Sequence, residues 1–162
     1  MQLNAKMTRC LQCTLGQGKT RAVIGEGPQN ADIMLIGQNP GAEEERQGRP
    51  FVGRAGKYLD RVLKANGIKR DKVFITNVVK CKTPANRKPT AREIRDCIPL
   101  LVEQIKQVKP RVVVLMGKVA WGMPRLKGIK YIETYHPAAA MRFPNARARF
   151  EQDFKKLMRP ND

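Results

Sequence analysis

The stretch Asp32-Ile-Met-Leu-Ile36, followed at once by Gly37-Gln-Asn-Pro-Gly41, decides the fold. An unbroken apolar run with no polar alternation predicts a strand buried on both faces. The glycine- and proline-bounded turn behind it ends that strand. Val73-Phe-Ile-Thr-Asn-Val-Val79 and Arg111-Val-Val-Val-Leu-Met116 read the same way, and Tyr131-Ile-Glu-Thr-Tyr135 is a weaker fourth run. Between them the period changes. Val52, Ala55, Leu59, Val62 and Leu63 step by three or four residues and stop at Asn66-Gly67, as a helix does. Thr90-Ala-Arg-Glu93 is a capping box that opens a second helix, with Ile94, Ile98, Leu101 and Ile105 on one face and Pro110 beyond its end. Phe150, Phe154, Leu157 and Met158 indicate a last helix.

Strands alternating with helices imply right-handed crossovers. The expected fold is therefore α/β, a three-layer α/β/α sandwich around a central, mainly parallel four-stranded sheet. No internal repeat or linker divides the chain, so residues 1–162 are read as a single domain. In such sheets ligands sit beyond the carboxyl ends of the strands. Gly37-Gln-Asn-Pro-Gly41, Asn77 and His136-Pro137 all fall at those ends.

The 162 residues carry 32 lysines and arginines against 14 acids, a formal charge of +18. At 41% hydrophobic residues the chain has enough apolar matter for a core, which excludes disorder for its bulk. No apolar run approaches the roughly 18 residues of a membrane span, and the polar Met1–Lys19 stretch does not read as a secretory signal. The expectation is a cytoplasmic protein. A solvated basic surface would account for part of the charge. A polyanion partner accounts for it more directly, because neutralised phosphates release counterions. The cations recur from Lys57 to Arg149, as on a charged face of a folded body.

Cys10 and Cys13 form C-x2-C, and Cys81 and Cys97 follow with fifteen residues between them. Inside a cell four cysteines rarely make two disulfides. Zinc and an iron–sulfur cluster both accept four thiolates, and spacing alone places zinc slightly ahead. Ordinary buried thiols are the plainer alternative. Cys97, one turn from Ile94 and Leu101, faces the protein body.

Six blocks in order carry a resemblance that covers nearly the whole chain. They are the Cys10/Cys13 pair, Gly37-Gln-Asn-Pro-Gly41 with Glu43-Glu44 behind it, Gly48-Arg-Pro-Phe-Val-Gly-Arg-Ala-Gly56, Thr76-Asn-Val-Val-Lys-Cys81, Asn86-Arg-Lys-Pro-Thr90, and His136-Pro-Ala-Ala-Ala-Met-Arg142. The chain resembles the iron–sulfur, or family 4, uracil-DNA glycosylases. Where that family usually has Glu and a small residue, this chain has Gln38 and Asn39. Gly-x-Asn-Pro-Gly is similar to the mismatch-specific and single-strand-selective uracil glycosylases, whose asparagine aligns the attacking water. The segment from Gly117 to Tyr131 is shorter than its family counterpart.

The resemblance implies an α/β/α glycosylase whose 4Fe–4S cluster sits on Cys10, Cys13, Cys81 and Cys97, reversing the preference for zinc. It implies removal of uracil, flipped out of single- or double-stranded DNA, to leave an abasic site. His136, the only histidine, would bond uracil O2 and stabilise the departing anion, and Phe51 would stack on the base. Asn77 offers a donor and an acceptor that match uracil O4 and N3–H; cytosine presents the reverse. Asn39 would position the water, with Gly37 and Gln38 lending backbone contacts. Glu44 would gate the uracil C5 edge or assist the water; Glu43 and Glu44 equally suit a solvated helix start. Met141 would be the wedge filling the vacated stack. Arg142, Lys80, Lys82 and Lys118 would contact the DNA backbone. No lysine in the three pocket loops argues for a Schiff base. The alternatives are a glycosylase of altered range (hypoxanthine, xanthine or mismatched uracil) and an inactive DNA-binding relative. The expected state is a monomer, and a sliding clamp is a candidate recruiting partner.

Overall fold

The computed structural model describes residues 21–158. Four strands form one sheet: β1 (Ile33–Gly37), β2 (Phe74–Asn77), β3 (Val112–Met116) and β4 (Lys130–Thr134). Their order is β2-β1-β3-β4, and every pairing is parallel. Gly37 pairs with Asn77, so the two loops of interest leave the sheet side by side.

The uninterrupted apolar runs cover both faces at once. Met34, Ile36, Phe74, Val113 and Leu115 join one buried cluster, with Leu101, Ile105 and Val108 of helix α3 (Ala91–Val108). Leu35, Ile75, Val112, Val114 and Met116 join the other. They meet Leu59, Val62 and Leu63 of helix α2 (Arg54–Ala65) and Phe150 and Phe154 of helix α6 (Pro144–Lys155). Three short helices complete the order: α1 (Ala42–Gln47), α4 (Lys118–Trp121) and α5 (Pro137–Arg142). The three layers agree with the sequence reading.

Boundaries differ in one informative place. The run through Val79 predicts a longer second strand, but β2 ends at Asn77. Beyond it the chain crosses the end of β1: Val78 N–H donates to Gly37 O and Val79 N–H to Gln38 O, both at 3.0 Å. Val78 and Val79 are buried in the first core cluster instead of extending the sheet. This crossing locks the first loop to the second.

The capping box forms as read. Thr90 Oγ1 accepts from Glu93 N–H, and Glu93 Oε1 accepts from Thr90 N–H. Arg87 grips the same carboxylate with two bonds of 2.8 Å, which, led by that pairing, holds the Glu93 pKa down to about 2. Replacing Thr90 by Ala should therefore lower unfolding stability by about 1 kcal/mol, read by urea denaturation. An unchanged midpoint would show that the Arg87–Glu93 pair alone caps the helix.

Candidate functional site

Three loops and one turn close around a cavity of about 510 Å³ at the carboxyl edge of the sheet. Gln38, Asn39 and Glu44 line it from the first loop, Phe51 from the turn before α2, Asn77 from the end of β2, and His136 from beyond β4. Gly37 is the floor. A Cβ there would stand 2.4 Å from Phe51 Cζ and 2.6 Å from Asn77 Oδ1, so only glycine admits both side chains.

Phe51 is held in a left-handed backbone conformation, φ 50°, which costs a bulky residue energy unless its surroundings fix it. They do. Arg70 donates to Phe51 O at 2.7 Å and to Pro50 O at 2.5 Å. Gly56 lies so close that a Cβ would fall 1.9 Å from Phe51 O. Glu44 ties the turn from the other side: Oε2 accepts from Val52 N–H at 2.9 Å and Gly53 N–H at 2.7 Å, while Oε1 accepts from Gly41 N–H at 3.0 Å. Glu44 thus joins two loops through their backbones. Glu43 is the solvated side chain of the helix start, its carboxylate pairing with Arg46 and Gln47, while Glu44 caps α1 through Gly41 N–H.

The Phe51 and His136 rings lie 5.6 Å apart at 34°. His136 caps α5, its Nδ1 accepting from Ala138 N–H at 3.1 Å. That bond fixes the tautomer: the proton sits on Nε2, the donor available to a ligand. Burial pushes the imidazole pKa down to about 4, with Glu44 acting the other way. At neutral pH the ring is uncharged. Trp121 steadies the loop, its Nε1–H donating to Leu115 O at 3.1 Å and Thr134 O at 2.9 Å.

Asn77 is 2% exposed, and its Oδ1 has no hydrogen-bond partner among the described residues. A buried carbonyl without a partner is costly in the empty state and is relieved by an N–H donor. Gln38 Nε2–H donates to Asn39 Oδ1 at 3.1 Å and Asn39 Nδ2–H to Pro40 O at 3.2 Å, so the two amides order one another.

The residues expected to contact DNA do not all stand where the sequence put them. Lys80 is corrected. It is 1% exposed, and its ammonium donates only inward, so it cannot reach a phosphate. Lys82 is half-buried, with Nζ on Thr83 O at 3.1 Å, and Lys118 is exposed. Met141 packs partly against the second core, which limits it as a wedge. The side chain that stands out is Phe143, 53% exposed, with the Arg142 guanidinium 5.3 Å from its ring centroid. The sequence reading also passed over Asn86, which lines the cavity from a turn where Ala85 and Asn86 have φ of 53° and 58°. Asparagine tolerates that region better than most residues, and that was the available signal.

Cys81 and Cys97 are both 3% exposed and share one buried cluster. Two enclosed thiols at the ends of one loop–helix segment suit half of a four-thiolate set. Cys10 and Cys13 lie outside the described residues. Among the described residues no group of three metal-ligating side chains occurs, and no helix is long and apolar enough to cross a membrane.

A parallel α/β sandwich with a phenyl ring, amides and a neutral imidazole at its carboxyl edge is built to hold one planar polar ring. The comparisons make this specific. The profile of the uracil DNA glycosylase superfamily matches residues 24–159. A type-4 uracil-DNA glycosylase of Sulfurisphaera tokodaii is 39% identical, with 96% of this chain and 82% of that protein covered. Those of Archaeoglobus fulgidus and Pyrobaculum aerophilum are each 38% identical, covering 91% and 94% of this chain and 86% and 89% of theirs. The chain belongs to the uracil-DNA glycosylase superfamily.

The site's electrostatics carry a measurable consequence. By NMR the His136 ring should titrate near pH 4, and Glu44→Gln should move that midpoint lower, since it removes the neighbour that raises it. A histidine held neutral in this way adds stability above pH 6.5 that is lost as pH falls toward 4. A midpoint near 6.5 would show an imidazole still in water.

Proposed function

We propose that the protein removes uracil from DNA by hydrolysing the bond between the deoxyribose C1′ and uracil N1. The observation that carries this reading is Asn77 Oδ1, buried and without a partner beside Phe51 and His136. It suits uracil N3–H, while the same amide's Nδ2–H suits O4. Cytosine would set acceptor against acceptor and leave both groups unpaired, a strong basis for rejection.

The base must leave the stack to enter the cavity. Phe51 stacks on its face, and stacking of this kind is worth roughly 1–3 kcal/mol per base. As the C1′–N1 bond lengthens, its electron pair moves onto the uracil ring and negative charge gathers at O2. The His136 Nε2–H donates there. A neutral imidazole suffices, because the donor needs only to be aimed before the charge develops. Asn39, ordered by Gln38, aligns a water to attack C1′. The water's oxygen becomes the new hydroxyl on C1′, its proton passes to solvent, and uracil leaves as the anion. Glu44 acts by holding the Gly41 and Phe51 turns in register.

Outside the cavity the surplus of cations draws the DNA backbone. Arg142, Lys82 and Lys118 contact phosphates, and Phe143 with Met141 fills the space the base vacates. Cys10, Cys13, Cys81 and Cys97 would hold a 4Fe–4S cluster, whose part would be architectural, joining Cys10 and Cys13 to the loop after Asn77. Iron in preference to zinc in the purified, brown protein supports that assignment; a colourless protein with one zinc contradicts it.

The deciding assay is release of free uracil from single- and double-stranded oligonucleotides. His136→Ala should lower the rate by about 10²–10³-fold, the loss typical of one preorganised donor, and Asn39→Ala should also slow it. Unchanged rates in both would remove these roles. The acid limb of kcat/KM should have its midpoint near 4, where a proton on His136 Nδ1 would break the bond from Ala138 N–H that aims the ring, and the rate should stay level across neutral pH. Preferential release of hypoxanthine or xanthine would assign the cavity to another base.

A further inference from the structure

Lys80 is enclosed by the protein, yet none of its three partners is a carboxylate. Its Nζ donates to Thr76 Oγ1, Asn77 O and Gln104 Oε1, each at 2.6 Å. Thr76 passes its own hydrogen to Ile24 O at 2.9 Å, and Gln104 Nε2–H reaches the same carbonyl at 2.7 Å. The segment containing Ile24 runs along the open edge of β2, where Glu26 and Ile75 exchange backbone bonds and Val23 N–H donates to Lys80 O. All three ammonium hydrogens are thereby directed at the last two residues of β2 and the groups behind them.

A buried cation whose hydrogen bonds all go to neutral acceptors is a poor choice for stability alone, since burial removes its hydration. What the ammonium holds is informative. Asn77 is the residue at which β2 stops, and its carbonyl faces away from β1. That carbonyl sets the plane from which the Asn77 side chain leaves the main chain.

We propose that Lys80 is a positioning residue for Asn77: by fixing the Asn77 carbonyl it aims the side-chain amide into the cavity and so sharpens the choice of uracil over cytosine. The inference rests on the reading of the cavity as a uracil site.

The test compares the wild-type full chain, with its cysteine-bound group in place, to Lys80→Met, Asn77→Ala and the double variant. Lys80→Met should slow uracil release about tenfold and weaken inhibition by free uracil by a similar factor, with affinity for uracil-free DNA unchanged. Because Lys80 acts through Asn77, the double variant should lose no more than Asn77→Ala alone. Wild-type release and inhibition in Lys80→Met, or losses that multiply in the double variant, overturn the proposal. Should Lys80→Met fail to fold, Gln104→Leu frees the same ammonium on one side and should give about a threefold loss on both readings; none would overturn it. Should the wild-type protein release no uracil, the uracil reading fails by itself. The Asn77 side-chain 15N resonance in ligand-free protein then still decides: displaced or broadened in Lys80→Met it supports the positioning role, and unchanged it ends it.

Discussion

The space above Gly37 is where the molecule's parts are made to agree. Phe51 and Asn77 arrive there from different loops and approach so closely that one added carbon would overlap both. The approach is possible because β1 and β2 end in register, Gly37 against Asn77, and because Val78 and Val79 then bond across the end of β1. A shift of one residue in that pairing would turn Asn77 to the other face of the sheet. The Asn77 amide and the Phe51 ring would then no longer share a cavity. Packing of the two apolar layers fixes the register, and the register fixes the chemistry.

Charged side chains support this arrangement from behind, mostly by satisfying backbone groups. Glu44 takes three N–H groups from two loops, Arg70 gives two bonds to the carbonyls of the Phe51 turn, and Lys80 gives one to Asn77. The turns they brace could not hold themselves. The Phe51 backbone lies in a region bulky residues avoid, and α1 is only six residues long. Ionic hydrogen bonds are stronger than neutral ones and well directed, which suits them to hold a short turn in a single conformation. The cavity's walls are therefore held by the protein's own bonds, as electrostatic preorganisation requires.

The strands were legible because burial on both faces demands unbroken apolar runs, and His136 and Asn77 were legible because they fall at strand ends; Phe51 was singled out only by the family resemblance. Lys80 was not. In a chain with 32 basic residues a lysine beside other lysines reads as surface, and nothing local marks the three acceptors that enclose it, one of them twenty-four residues away. Asn86 escaped for a related reason: its cavity position depends on two left-handed residues in succession, which the polar composition of that loop does not specify. Glu44 was seen as chemistry because it is a carboxylate near a pocket, whereas its partners are backbone groups that no side-chain pattern reveals. The sequence discloses what a residue can do; the bonds that occupy it depend on the fold.

The charge distribution divides the work between surface and cavity. A net +18 over the whole chain attracts a polyanion without regard to base. A cation inside the cavity would add to that attraction but would favour the anionic backbone as much as the base. Apart from the Glu44 carboxylate, which is taken up by three backbone N–H groups, the cavity presents neutral groups: an imidazole kept uncharged by burial, four amides and a phenyl ring. Neutral donors and acceptors discriminate by direction, so they gain most where charge appears late and at a known atom. A protonated His136 would offer a stronger donor to an acceptor in the cavity, but burying that charge would oppose enclosure of the ring. The lowered pKa is thus a consequence of enclosing the ring closely enough to aim it, and the aim of the single Nε2–H follows from the Ala138 N–H that occupies the other nitrogen.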